Sequence, residues 1–207
     1  MFGPKSALSG LLSKLLWLGA LLCFPGGVLW ALSPLGTYLS EMKYKSPDTF
    51  WKLFPSTVLL ISVGLICYRL RGVGQNSRIG SIGFYTALFG AGLVTVGDVL
   101  KFYLQIDDTY LLTAPGWHTL RIGLFFFAVG SLLFAVGASR SETLPRWVFL
   151  PFVFGTACGV LAVVRDLGYV GVALWVLFGA GWAWVGLFPV AELASRLWSR
   201  RRTKLEA

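Results

Sequence analysis

Six stretches of this chain contain no Asp, Glu, Lys or Arg: residues 15–40, 53–68, 79–97, 122–139, 147–164 and 167–191. Their lengths are 26, 16, 19, 18, 18 and 25 residues. A helix crossing the hydrocarbon core of a bilayer needs about 20 apolar residues, and a shorter one reaches by letting flanking cations snorkel. The shortest stretch has such cations in Lys52 and Arg69. A seventh window, 109–120, holds only 12 residues with Pro115, Gly116 and His118 inside it, and reads as an interfacial loop. The pattern therefore predicts an all-α, polytopic membrane helix bundle. Its six transmembrane helices cover approximately 15–34, 53–69, 80–103, 121–139, 147–165 and 169–191, and a basic tail covers 192–207.

Composition agrees with lipid as the main solvent. Charged residues make up 13% of the chain and hydrophobic ones 56%, against about 25% and 45–50% in soluble domains. With 207 residues, six spans leave no room for a separate soluble domain, so the chain reads as one transmembrane domain.

The net charge is +9. A nucleic-acid partner would need a basic face on a folded soluble module, and none fits; sorting the charges by loop explains them better. With the N-terminus cytoplasmic, the inner segments hold twelve Lys and Arg and the outer segments six. Cytoplasmic loops are enriched in cations, so both termini are expected inside. The outer segments then carry six acidic residues against six basic ones, and the whole excess lies inside. Arg200, Arg201 and Arg202 follow the amphipathic piece Ala194–Trp198 and are expected against anionic headgroups.

The N-terminal stretch with Lys5 and Lys14 imitates a signal peptide. The small-residue site at Ala31 and Ser33 is followed directly by Pro34, which disfavours cleavage, so an uncleaved first helix is expected. Pro25-Gly26-Gly27 interrupts it, predicting either a packing kink or a partly unwound hinge.

One pattern is internal. Residues 88–97 read LFGAGLVTVG and residues 177–186 read LFGAGWAWVG, with seven of ten positions identical at an offset of 89. The first copy falls in the third span and the second in the sixth, running in opposite directions. This is the arrangement of an inverted 3+3 repeat; coincidence in a small Gly/Ala/Leu/Val alphabet is the competing explanation. Gly83, Ala87, Gly90 and Gly97 form a stripe of small residues in one copy, and Gly168, Gly179, Ala183 and Gly186 in the other. Small residues let helices approach closely in lipid. Gly83, Gly90, Gly97, Gly179 and Gly186 are therefore expected to pack helices together.

The ionisable residues near the outer end are the candidate site. Asp98 and Lys101 lie one turn apart, with Lys101 on the glycine face and Asp98 roughly 60° around it by helical period. Arg121 opens the fourth span, and Arg165 and Asp166 form the turn between the fifth and sixth. Ionisable residues at membrane depth usually face the protein interior. Asp98–Lys101 or Asp98–Arg121 is expected as an ion pair that gates or binds a substrate in an outward-facing polar vestibule, or else sits at headgroup level. Asp107 and Asp108 read as a solvated pair, and Trp117-His118 as an interfacial anchor.

Enzyme signatures are missing. A single histidine, His118, excludes HExxH, and neither GxSxG nor GxxxxGK[ST] occurs. Cys23, Cys67 and Cys158 lie inside apolar runs without metal-ligand spacing and read as small core hydrophobes. No catalytic residue, metal or cofactor is predicted.

The junction SRSETLPRW at 139–147 is similar to a connection in uncharacterised bacterial six-helix membrane proteins. Nine residues without chemistry name no family; they imply a bacterial cytoplasmic membrane. The functional expectation is a permease- or transporter-like bundle. Its rivals are a non-transporting accessory or assembly subunit, partnered by a membrane complex or by its own copies, and a membrane-embedded lipid enzyme. A transporter should have a polar cavity reaching the midplane; an accessory subunit should pack solidly and expose a small-residue face.

Overall fold

The computed structural model describes residues 4–43, 48–110, 112–140, 145–164 and 168–205, and all regular structure among them is helical. In chain order the helices are α1 (Pro4–Met42), α2 (Asp48–Trp51), α3 (Phe54–Leu70) and α4 (Arg78–Asp98), which runs on into a π-turn at Val99–Tyr103. Then follow α5 (Ile106–Thr109), α6 (Pro115–Ala138), a 3-10 turn at Arg146–Phe149, α7 (Leu150–Val164) and α8 (Tyr169–Leu205). Among the described residues, five segments are long and apolar enough to cross a bilayer: Trp17–Ser40, Arg78–Tyr103, Pro115–Ala138, Arg146–Val164 and Tyr169–Pro189. The protein is a membrane helix bundle. The remaining apolar helix, α3, has 17 residues.

Three boundaries differ from the sequence reading, each for a local reason. The expected loop at 109–120 is mostly helix: α6 begins at Pro115, where a missing N–H costs nothing because the first turn lacks acceptors anyway. α1 runs unbroken through Pro25 and Pro34, so its proline–glycine segment is not unwound. α8 continues as one helix through Pro189 to Leu205, so the tail begins as helix. Gly168 lies outside that helix, in a turn at φ +51°, and does not belong to the small-residue stripe.

Packing is dominated by two antiparallel helix pairs, α4 with α6 and α1 with α8. In the first, a Cβ added at Gly83, Gly90 or Gly97 would land on the backbone nitrogen of Phe134, Phe127 or Leu120 respectively. Each step of seven along α4 is matched by a step of seven backward along α6, so the register is constant over the whole contact. α6 answers with its own glycines: a Cβ at Gly130 would meet the backbone nitrogen of Ala87, and one at Gly123 that of Val94. In the second pair, Gly27 faces Ala183 and Gly179, and Gly186 faces Phe24 and Ala20. Hydrophobicity gives no net pull between helices in lipid, so close backbone contact supplies dispersion energy in its place.

The space between the two pairs is filled by aromatic rings. Phe127 lies near-parallel to Trp30 at 5.4 Å and to Trp182 at 6.2 Å. Phe178 and Phe54 pack on Trp30, and Phe152 on Trp182. All six rings are buried. Cys23, Cys67 and Cys158 are free and buried, and Cys23 packs where a Cβ at Gly64 would otherwise sit.

Candidate functional site

Asp98, Lys101 and Asp107 lie at the end of the bundle that carries α2 and α5. Asp98 is the last residue of α4 and is fully buried. Neither of its carboxylate oxygens has a hydrogen-bond partner among the described residues. The chain then leaves α-helical geometry for the π-turn, and this overturns the expected pairing. A π-turn carries more residues per turn than an α-helix, so the 3.6-residue period that placed Lys101 beside Asp98 stops applying at Val99.

Lys101 pairs instead with Asp107, Nζ lying 3.8 Å from Oδ2. Its ammonium also sits 4.6 Å from the ring of Trp117 and 5.4 Å from that of Phe102. Asp107 is buried rather than solvated, and it holds the start of α6. The backbone N–H of Gly116 donates to its Oδ1 at 2.7 Å and that of Trp117 to its Oδ2 at 2.8 Å. A carboxylate taking two N–H groups at the positive end of a helix is a favourable charge arrangement. Bringing Asp107 there takes an abrupt turn on each side: Gln105 and Ala114 both adopt left-handed backbone conformations, at φ 53° and 33°. Such conformations in residues other than glycine cost of order 1 kcal/mol or more each, and they persist where surrounding contacts impose them.

The other predicted members lie apart. Arg121 and His118 are exposed on α6, and Asp108 is exposed on α5. Arg165 and Asp166 lie outside the described residues. Trp117 turns inward, edge-on to Trp51 at 6.0 Å. Trp51 in turn stacks on Phe54 at 5.2 Å and on Phe102 at 5.7 Å, and so ties α2 to both α3 and the π-turn. A Cβ added at Gly83, Gly90, Gly97, Gly179 or Gly186 would meet the backbone of a facing helix.

Beside this cluster, on the other flank of Trp51, lies a cavity of about 350 Å³. Pro34, Thr37 and Tyr38 of α1, Trp51 of α2, Ala162 of α7 and Trp175 of α8 line it. A shallower groove of about 480 Å³ runs from it along α1 and α8, lined by Leu35, Val172, Ala173, Val176 and Leu177. Tyr38, Tyr169 and Val172 belong to both. No spacing in the sequence announces this site, because its walls come from four separate elements. Asp107 escaped for a similar reason: it caps α6 from outside the usual N-cap position, which Ala114 occupies. The glycines of α6 did leave a signal, the seven-residue spacing of Gly116, Gly123, Gly130 and Gly137.

No protein-family model, curated protein or solved structure matches this chain.

Proposed function

We propose that the protein is a small permease-like carrier in the cytoplasmic membrane of a bacterium. Six helices span the bilayer, both termini lie inside, and the α5 end forms an outward mouth. The observation that carries this reading is Asp98. An ionisable group at the centre of a membrane helix costs on the order of 2.5–3.5 kcal/mol on insertion scales; Asp98, buried toward the end of the apolar segment Arg78–Tyr103, has no partner among the described residues to offset its own cost. A site that keeps such a residue has a use for its charge or its proton. Substrate enters beside Asp98, and the Trp30–Phe127–Trp182 stack is the closed barrier beneath it.

Several features support the arrangement. The two-to-one excess of basic residues in the loops at the terminal end favours that end as cytoplasmic. α3 spans about 26 Å at 1.5 Å per residue, within reach of a bilayer if its flanking cations, Lys52 and Arg69, extend outward. The pairing of α4 with α6 and of α8 with α1 is the exchange that an inverted 3+3 repeat requires, with the two LFGAG copies in equivalent contacts. On this reading Arg200, Arg201 and Arg202 meet anionic headgroups on the cytoplasmic side.

A second reading, a non-transporting accessory subunit, is favoured by one observation: buried rings fill the midplane between the two helix pairs. Against it, the small-residue faces are consumed inside the bundle, leaving little of that kind for a partner.

The readings separate in liposomes loaded with a pH-sensitive dye, with an inside-negative potential set by potassium and valinomycin. The carrier reading expects proton entry faster than in protein-free liposomes, lost in Asp98→Asn and kept in Asp108→Asn. Folded, inserted wild-type protein that leaves the liposomes no more permeable overturns it in favour of the accessory reading.

A further inference from the structure

The cavity on the α1–α8 side has a polar-aromatic head and an apolar tail. Its head is walled by Tyr38, Trp51, Tyr169 and Trp175, and among the described lining residues none is charged. Trp51 and Trp175 are held from behind, Trp51 by Phe54 at 5.2 Å and Trp175 by Trp30 at 5.5 Å, so these walls are pre-formed. The tail is the groove along Leu35, Ala173, Val176 and Leu177. Leu35, Ala173 and Leu177 are exposed, so the groove opens sideways on the lipid-facing surface.

Depth places the two parts. Tyr38 is near the end of the apolar segment Trp17–Ser40, and Tyr169 begins the segment Tyr169–Pro189. Aromatic residues at span ends sit at headgroup level. The head of the cavity therefore lies among headgroups and the groove among acyl chains. Aromatic faces present negative potential and bind cations that shed water easily, quaternary ammonium above all. An anionic headgroup would find no described cation in the lining.

We propose that this pocket and groove form one lateral binding site for a single-tailed or phospholipid amphiphile with a trimethylammonium headgroup. The ammonium sits between Tyr38, Trp51, Tyr169 and Trp175, and the chain lies along α1 and α8. The site stands whether or not the protein moves a substrate, because binding and flux are read separately.

The test is retention of lipid by the protein released from nanodiscs of equal phosphatidylcholine and phosphatidylglycerol, measured by native mass spectrometry. The expected result is one retained phosphatidylcholine in several-fold preference over phosphatidylglycerol. Tyr169→Ala, at an exposed residue, should lower that retention about tenfold. Ala173→Phe, which fills the groove from the lipid side, should abolish it. Both substitutions face outward and leave the packed core intact. Tetramethylammonium chloride should displace the lipid where sodium chloride of equal strength does not, which assigns the aromatic pocket to the head. Equal retention of the two lipids, preference for phosphatidylglycerol, or retention unchanged in both variants overturns the proposal and leaves ordinary annular lipid.

Discussion

The two antiparallel helix pairs are built from the same residue types and end differently. The α4–α6 contact continues from Gly80 against Gly137 to Gly97 against Leu120, without a proline between those points on either helix. It closes at the α5 end with the Lys101–Asp107 pair and the cap on α6. The α1–α8 contact has its glycines only in the middle, between Gly186 at one end and Gly179 at the other. Pro25, Pro34 and Pro189 interrupt the hydrogen-bond ladders of both its helices. Beyond Gly179 the pair opens into the cavity at Tyr38 and Trp175. Backbone contact along an unbroken ladder makes a stiff element, whereas missing ladder bonds and side-chain spacing make one that can part. The difference makes α4–α6 the stiffer pair and α1–α8 the looser one.

The largest effect should come from wedging the stiff pair. Gly90→Leu puts a side chain where the backbone nitrogen of Phe127 now lies, and neither backbone can yield without losing the shared register. A loss of about 3 kcal/mol or more is expected, read as unfolding in a denaturing-detergent titration. Gly92→Leu, two residues away, meets nothing within 4 Å and should stay within about 0.5 kcal/mol of wild type. Gly179→Leu carries the comparison across to α1–α8. Its expected cost is about half that of Gly90→Leu, because the chain beyond Gly179 already diverges. Equal costs at 90 and 179 would show the two pairs to be equally stiff.

These glycine contacts were the most legible part of the molecule. A membrane helix announces itself by lacking charge, and close approach announces itself by small residues at a helical period. Both are properties of one segment read alone, as in the apolar helical segments Arg78–Tyr103 and Tyr169–Pro189. Legibility fails where geometry depends on two segments. The π-turn at Val99–Tyr103 has no residue signature here, so carrying the α-helical period past Asp98 gave Lys101 the wrong partner. Asp107 reaches α6 because Gln105 and Ala114 bend the chain on either side of it. The aromatic pocket needs four elements at once, and its residues are spread from Pro34 to Trp175.

A smaller effect should follow from opening the closed end of α4–α6. Asp107→Ala removes the acceptor for the N–H groups of Gly116 and Trp117 and leaves Lys101 without its carboxylate. Loss of a helix cap costs about 1 kcal/mol, and the same titration should register it. Hydrogen exchange at Gly116 and Trp117 should rise with it, while the amides of α8 stay protected. Asp108→Ala, at the exposed neighbour, should change neither. Faster exchange spreading along α8 would mean that the two pairs are not independent.

The smallest effect tests the claim that prolines loosen α1–α8. Pro189 has no N–H, so the carbonyl of Val185, four residues earlier, loses its helical donor. Tyr68 of α3 supplies a replacement: its buried O–H donates to that carbonyl at 2.8 Å. Tyr68→Phe should therefore cost about 0.6 kcal/mol, the average for an interhelical hydrogen bond in a membrane protein. Pro189→Ala restores the backbone donor and should make Tyr68 partly redundant, so Tyr68→Phe should cost less in that background than in wild type. A double-mutant cycle reads the difference directly. Equal costs in both backgrounds would mean that the tyrosine acts through ring packing alone, and that α8 gains nothing from α3 at its proline.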